Sequence, residues 1–216
     1  KLNRLLKIVG AVAVINILAR LFGFLREAVI GIQFGTTVLS DSIINAYTIP
    51  NFLYLVIGGA FTTAFISIYH KTSASIEDYI RRTFTTILVS ITVVVIVFFL
   101  FADPILHWYF KSAEGEEYET LKQLYMWMLP STIMLVVSTW LSGVLNINNK
   151  FHLSSFAVLV YNLAFLIISV GLSLVIGPVG YGIGALIGAA FMFFFLIFGV
   201  RHIKEMSFKP MFGSAE

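Results

Sequence analysis

The sequence predicts an all-α, polytopic membrane protein built as a six-helix transmembrane bundle, and three observations lead there. Hydrophobic residues make up 59% of the 216 and charged residues 12%, with a mean hydropathy of +0.94, far too apolar for a soluble domain of this length. The apolar residues fall into runs of about 20 or more, the length of helix that crosses a hydrocarbon core. These runs are rich in Gly and lack the roughly ten-residue alternation of an outer-membrane barrel. Cysteine is absent, which excludes disulfides and thiolate metal sites.

Six spans are predicted: Leu6 to Phe34, Asp41 to Tyr69, Thr83 to Phe101, Leu121 to Leu145, Ser154 to Ile176, and Gly180 to Val200. The first run is too long and too charged for a cleavable signal and lacks a clear small-residue cleavage site, so it reads as a retained helix. It carries Arg20, Arg26 and Glu27, and Asp41 opens the second span. A charge at the bilayer centre costs about 2.5 kcal/mol or more even on insertion scales, so such residues are expected to face a cavity. On a helix Asn16, Arg20, Gly23 and Glu27 fall at i, i+4, i+7 and i+11, one polar stripe on an apolar cylinder. Arg26 lies off that stripe, so one cavity takes both arginines only if it is wide or if the helix bends near Gly23.

In the second span Asp41, Asn45 and Thr48 form a similar stripe. Glu27, Asp41, Asn16 and Asn45 are the expected charge-balancing or gating groups. Pro50 removes a backbone donor and clashes with the carbonyl one turn earlier, and Gly58 and Gly59 loosen the helix again. With Gly23 and Asn51, these are the expected hinge positions. The third span follows a helix start at 76–82, where acidic residues precede basic ones.

The connection from Ala102 to Thr120 pairs an aromatic segment, His107 to Phe110, with Glu114, Glu116, Glu117 and Glu119, and reads as an interfacial belt followed by a solvated loop. The fourth span carries Pro130, Ser131, Thr132, Ser138, Thr139, Ser142 and Gly143. Its hydroxyls serve helix packing or line a polar cavity. Asn162 stands alone in the fifth span and is expected to make a structural hydrogen bond. In the sixth, Gly180, Gly184 and Gly188 repeat every four residues, an expected close helix contact.

Loop charges set an orientation. Lys1, Arg4, Lys7, Lys71, Arg81, Arg82, Lys150, Arg201, Lys204 and Lys209 fall on one side, and Lys111 and Lys122 on the other. By the positive-inside rule both termini are expected in the cytoplasm.

Nothing in the chain supports catalysis, a metal or a cofactor. His70, His107, His152 and His202 are scattered without the i, i+4 spacing of a metal site. No phosphate loop, dinucleotide fingerprint or nucleophile elbow occurs, and no basic groove suggests nucleic acid. Arginine, however, keeps its charge at any accessible pH, and its planar fork binds phosphate oxygens in pairs. Arg20 and Arg26 are therefore candidate pyrophosphate holders; the alternative is that Arg20 and Glu27 each pair with other helices to hold the fold.

The pattern Arg20-x-x-Gly23-Phe24-x-Arg26-Glu27, then Phe34-Gly35, Asp41, Ile49-Pro50-Asn51 and Gly59-Ala60-Phe61, resembles the start of the MurJ/MviN lipid II flippases. These belong to the multidrug, oligosaccharidyl-lipid and polysaccharide exporter superfamily. The resemblance continues more loosely through Gly143, Leu145, Asn146, Phe151, Asn162 and the glycine-rich sixth span. It implies the N-terminal lobe of a two-lobed protein of about fourteen helices. Residues 1–201 would be that lobe and 202–216 a cytoplasmic tail or the start of an inter-lobe linker, with the C-terminal lobe as partner.

The implied activity is alternating-access transport of a polyprenyl-pyrophosphate-linked saccharide across the bacterial cytoplasmic membrane, driven by membrane potential or an ion gradient. Many of these flippases carry an arginine pair shortly after the Pro-Asn, where this chain has Tyr54 and Leu55 and one residue fewer before Gly-Ala-Phe. Another polyprenyl-linked glycan is therefore an alternative to lipid II. A cation-coupled small-molecule exporter and a non-transporting membrane assembly protein are the other readings.

Overall fold

Each apolar run folds as a helix, because a backbone in hydrocarbon must satisfy its N–H and C=O groups internally. The computed structural model describes residues 1–35, 38–72 and 75–212. Helix α1 spans Leu2–Phe34 and α2 Val38–Leu53; a π-helical turn, Tyr54–Gly58, carries α2 into α3, Gly59–Tyr69. Then come α4, Ile76–Leu100; α5, Ala102–Tyr109; α6, Glu116–Ile147; α7, Phe151–Ile176; and α8, Val179–Val200. With α2 and α3 counted as one span, six helices are long and apolar enough to cross a membrane, and no strand occurs among the described residues.

Several helices begin before their apolar runs do. The first starts at Leu2 rather than Leu6 and the fourth at Glu116 rather than Leu121, while the third begins at Ile76, the helix start expected at 76–82, ahead of its apolar run from Thr83. In each case polar residues continue a helix that hydropathy sees only where it turns apolar. Ser75 caps α4, its Oγ accepting from the Asp78 N–H at 3.2 Å, and Glu77 and Asp78 sit at the favourable end of the helix dipole. The region expected as an open loop after Ala102 is instead α5 followed by the first turn of α6, where Glu116, Glu117 and Glu119 lie.

The core is organised around α6, which runs between α2, α4 and α8 and buries Leu124, Tyr125, Leu129, Val136, Trp140 and Leu145. Helices α7 and α8 pack backbone to backbone. A Cβ built at Gly184 would lie 2.9 Å from Ser169 Cα, and one at Gly188 would lie 3.1 Å from Phe165 N. A side chain at either position would push α7 away. Helix α1 lies on the far side of α7 and buries only Ala19 and Ile30 among its residues, leaving Leu2, Phe24 and Ile32 exposed.

Pro50 is buried within α2, and the regular ladder gives way to the π turn one turn later. A proline supplies no N–H to the carbonyl four residues back, and a π turn is a single wider turn set within an α-helix. Gly58 is buried, with Thr139 Oγ1 3.4 Å from where its Cβ would be, whereas Gly59 has nothing within 4 Å.

After α8 the chain folds back on α4. Ile203 is buried, Phe208 meets Phe84 edge-on at 5.0 Å, Arg81 Nε donates to the Lys209 carbonyl, and the Met211 N–H donates to Thr85 Oγ1. Residues 213–216 of the expected tail lie outside the described residues.

At the opposite end, Asp103 of α5 accepts hydrogen bonds from the Tyr118 hydroxyl and from Lys122 Nζ, and His107 stacks on Tyr118 at 4.2 Å. The Tyr118 hydrogen bond, then that from Lys122, holds the Asp103 carboxyl below the usual carboxylate range. A lowered value means that the contact stabilises the fold above the unfolded pKa of about 3.9 and loses that effect as pH falls through the folded value. Protection of the α5 amides, the factor by which they exchange more slowly than in an unfolded chain at the same pH, is therefore expected to stay constant from neutral pH to about 5 and to fall below about 4. Protection unchanged through that acid range would contradict it.

The glycine contact yields a second expectation. Gly184→Val should lower stability by about 1–3 kcal/mol through overpacking, read as a lower melting temperature in detergent. Gly171→Ala in α7, where nothing lies within 4 Å of the new Cβ, should leave it unchanged.

Candidate functional site

The helical period of α1 brings Asn16, Arg20, Gly23 and Glu27 to one face, and that face lines a cavity of about 590 Å³ with Arg26, Val158 and Asn162. Gly23 sits beneath the Asn162 amide, whose nitrogen lies 3.9 Å from the position a Cβ would take. The absence of a side chain there lets α7 approach. Asn162 Nδ2 then donates to the Ala19 carbonyl at 2.9 Å, while its Oδ1 accepts from Arg26 Nη1 at 3.4 Å. One amide thus ties the α1 backbone and one of the two guanidinium groups to α7.

Both arginines reach the same cavity without a break at Gly23, since α1 is continuous from Leu2 to Phe34. The length of the Arg26 side chain does the work expected of a bend. Its guanidinium lies 4.5 Å from the Phe165 ring centroid and 5.4 Å from that of Tyr47. The Tyr47 and Tyr161 hydroxyls meet at 3.4 Å beneath it. Aromatic faces attract a cation by about 0.5–2 kcal/mol, more as water is excluded.

Arg20 and Glu27 are exposed on the cavity side of α1, and Arg26 is half-buried. The ion pairs among the described residues are Arg81–Asp78 at 3.8 Å and Lys122–Asp103 at 3.0 Å, both remote from this cavity. Arg20, Arg26 and Glu27 therefore have no opposite charge within 4.0 Å among the described residues. The cavity carries two permanent positive charges and one carboxylate.

Asp41 and Asn45 are not brought to it. Ile43 and Ala46 turn into the core with α2 packed on α6, which leaves Asp41 exposed and Asn45 half-buried away from the α1 stripe. Thr48 bonds its own helix, donating to the Ile44 carbonyl. Asn51 is half-buried in α2 just before the π turn. Gln33 was not anticipated. Its Nε2 donates to Ser173 Oγ and its Oε1 accepts from the Tyr181 hydroxyl, each at 2.7 Å, which fastens the end of α1 to α7 and α8. A single amide at the end of an apolar run looks the same in sequence as any interfacial residue.

A family model described as lipid II flippase MurJ matches residues 30–216. The chain belongs to the MurJ lipid II flippase family. A probable lipid II flippase MurJ of Buchnera aphidicola subsp. Schizaphis graminum is 27% identical over 217 residues, covering 94% of this chain and 42% of its own length. The lipid II flippase MurJ of Thermosipho africanus is 28% identical and covers 83% of this chain and 38% of its own. A solved lipid II flippase MurJ in an inward closed conformation superposes with a TM-score of 0.77 at 25% identity, over 88% of this chain and 41% of that one. A MOP superfamily transporter from Pyrococcus furiosus superposes with a TM-score of 0.71 at 13% identity, a likeness of fold alone.

The chain thus spans about two fifths of the length of the MurJ relatives it matches. Its place in this family, with six apolar helices, makes it a multi-pass membrane protein.

Asn162→Leu should detach Arg26 and leave the Ala19 carbonyl without its donor, at a cost of about 1–3 kcal/mol. Hydrogen exchange in α1 around Ala19 is expected to rise while exchange in α6 stays unchanged. Equal protection of α1 in both proteins would remove Asn162 as its anchor.

Proposed function

We propose that this chain is the N-terminal lobe of a flippase that carries a polyprenyl-pyrophosphate-linked saccharide, lipid II or a similar cell-wall precursor, across the bacterial cytoplasmic membrane. Arg20 and Arg26 hold the pyrophosphate, and the lipid tail stays in the bilayer. The observation that carries this reading is the pair of guanidinium groups lining one cavity without an ionic partner among the described residues. An anion is the ligand that such a site lacks, and a pyrophosphate offers each arginine fork two oxygens.

Family membership supports the same substrate class. Glu27 at the cavity rim limits the excess positive charge in the empty state. The ten-to-two distribution of loop cations favours both termini in the cytoplasm. The cavity is lined by residues of α1 and α7; a C-terminal lobe would supply the opposite wall, and alternating access requires both walls. Pro50 and the π turn at Tyr54–Gly58 are where α2 would bend as the lobes move. A cation-coupled exporter is less well supported, since Glu27 is the one carboxylate lining the cavity among the described residues.

The test uses the full-length protein in cells depleted of their own lipid II flippase. Arg20→Ala and Arg26→Ala should each abolish rescue of growth at normal expression, and binding of labelled lipid II to the purified variants should fall about 10- to 100-fold, the scale of a lost charge-assisted contact. Full rescue by the double variant would overturn the phosphate-holding role.

A further inference from the structure

The arginine cavity continues past Asn16. Asn16 and Val158 also line a second cavity of about 230 Å³ between α1, α6 and α7, reached by Tyr54 from the π turn. Among the described residues this notch has no charged side chain in its lining. Hydroxyls and amides make up its polar lining: Asn16, Tyr54, Ser142, Asn146 and Ser155, with Thr139 and Ser154 behind them.

Three of these groups, Thr139, Asn146 and Ser154, are already engaged within the fold. Thr139 Oγ1 donates to the Leu135 carbonyl at 2.9 Å, and Ser154 Oγ donates to Asn146 Oδ1 at 2.6 Å. The side chains of Asn16, Ser142 and Ser155 make no hydrogen bond to any described residue, so the notch holds unspent donors and acceptors. Polar groups in a largely apolar bundle are costly unless something completes their bonding.

The chemistry of the lining selects its occupant. A phosphate would find no cation, an acyl chain would strand the polar groups, and a metal ion would find no carboxylate. Hydroxyl and amide groups that both donate and accept match a polyhydroxylated ring, whose substituents have the same double capacity. The volume lies below the roughly 300 Å³ at which pockets for drug-sized ligands begin, room for one ring. Placement agrees: Asn16 precedes Arg20 by one helical turn, about 5–6 Å between Cβ atoms, so a ring bonded to a phosphate held at Arg20 arrives at Asn16.

We infer that the notch between α1, α6 and α7 is a saccharide subsite that reads the hydroxyl and amide substituents of the sugar bonded directly to the pyrophosphate. This rests on the phosphate-holding reading of Arg20 and Arg26 and adds a determinant of headgroup choice to it.

The test compares two probes on the purified full-length protein in detergent: a polyprenyl pyrophosphate without sugar, and the same lipid bearing one N-acetylhexosamine. The unmodified protein should bind the sugar-bearing lipid more tightly. Ser142→Ala and Ser155→Ala should each weaken binding of that probe about three- to tenfold, one hydrogen bond's worth, and leave the bare pyrophosphate unchanged. Arg20→Ala should weaken both probes together. Equal affinity of the unmodified protein for the two probes, or a serine variant that lowers both alike, would overturn the subsite while the arginine site stands. Failure of both probes to bind the unmodified protein would overturn both readings.

Discussion

Arginine cannot shed its proton inside a membrane, and the rest of the lobe follows from where that charge is placed. Two guanidinium groups on one apolar helix must face something other than lipid, at a cost of about 2.5 kcal/mol each on the most lenient scale if they do not. The solution is geometric. One face of α1 carries Asn16, Arg20, Gly23 and Glu27 into a hollow of about 590 Å³, while Val14, Ile17, Leu18 and Leu21 stay exposed as apolar surface.

The wall behind the hollow is rigid for a separate reason. Gly180, Gly184 and Gly188 set α8 against the backbone of α7, and Gly182 sets its other face against Trp127 and Leu124 of α6. Such contacts leave little freedom for sliding, because protein interiors are packed as densely as organic crystals. Helix α1 is attached to this block at particular points: the Asn162 bonds to Ala19 and Arg26, and the Gln33 bonds to Ser173 and Tyr181.

How far the residues announced this can be argued one at a time. The stripe on α1 was legible because helical period and misplaced charge are both local signals. The destination of Arg26 was not, since the partners of its guanidinium, Asn162 and Phe165, lie more than a hundred residues away and a side chain's reach is set by tertiary packing. Asp41 and Asn45 do share a helix face, but which way that face turns depends on Ile43 and Ala46 docking on α6. Hydropathy could not find α5, eight residues long in a polar stretch, nor the helical turns that precede the apolar part of α6, whereas the start of α4 was legible from the acids that precede basic residues at 76–82. The close approach of Gly180, Gly184 and Gly188 is legible as a four-residue repeat, yet the repeat does not name α7 as its partner.

The two arginines are held differently, and the difference bears on binding. Arg26 is positioned by neutral groups, an amide oxygen and two aromatic faces, so its orientation is fixed while its charge stays uncompensated. Arg20 is exposed in the same hollow, with no carboxylate within 4.0 Å among the described residues. Had either been ion-paired at 4 Å, an incoming phosphate would first have to displace an attraction of about 4 kcal/mol at an effective dielectric of 20. That exceeds what a single charge-assisted hydrogen bond returns, about 1.5–3 kcal/mol. Orienting one guanidinium with uncharged contacts and leaving the other open keeps the field of both available to a ligand. Glu27, about 10 Å further along the helix from Arg20, moderates that field without quenching it.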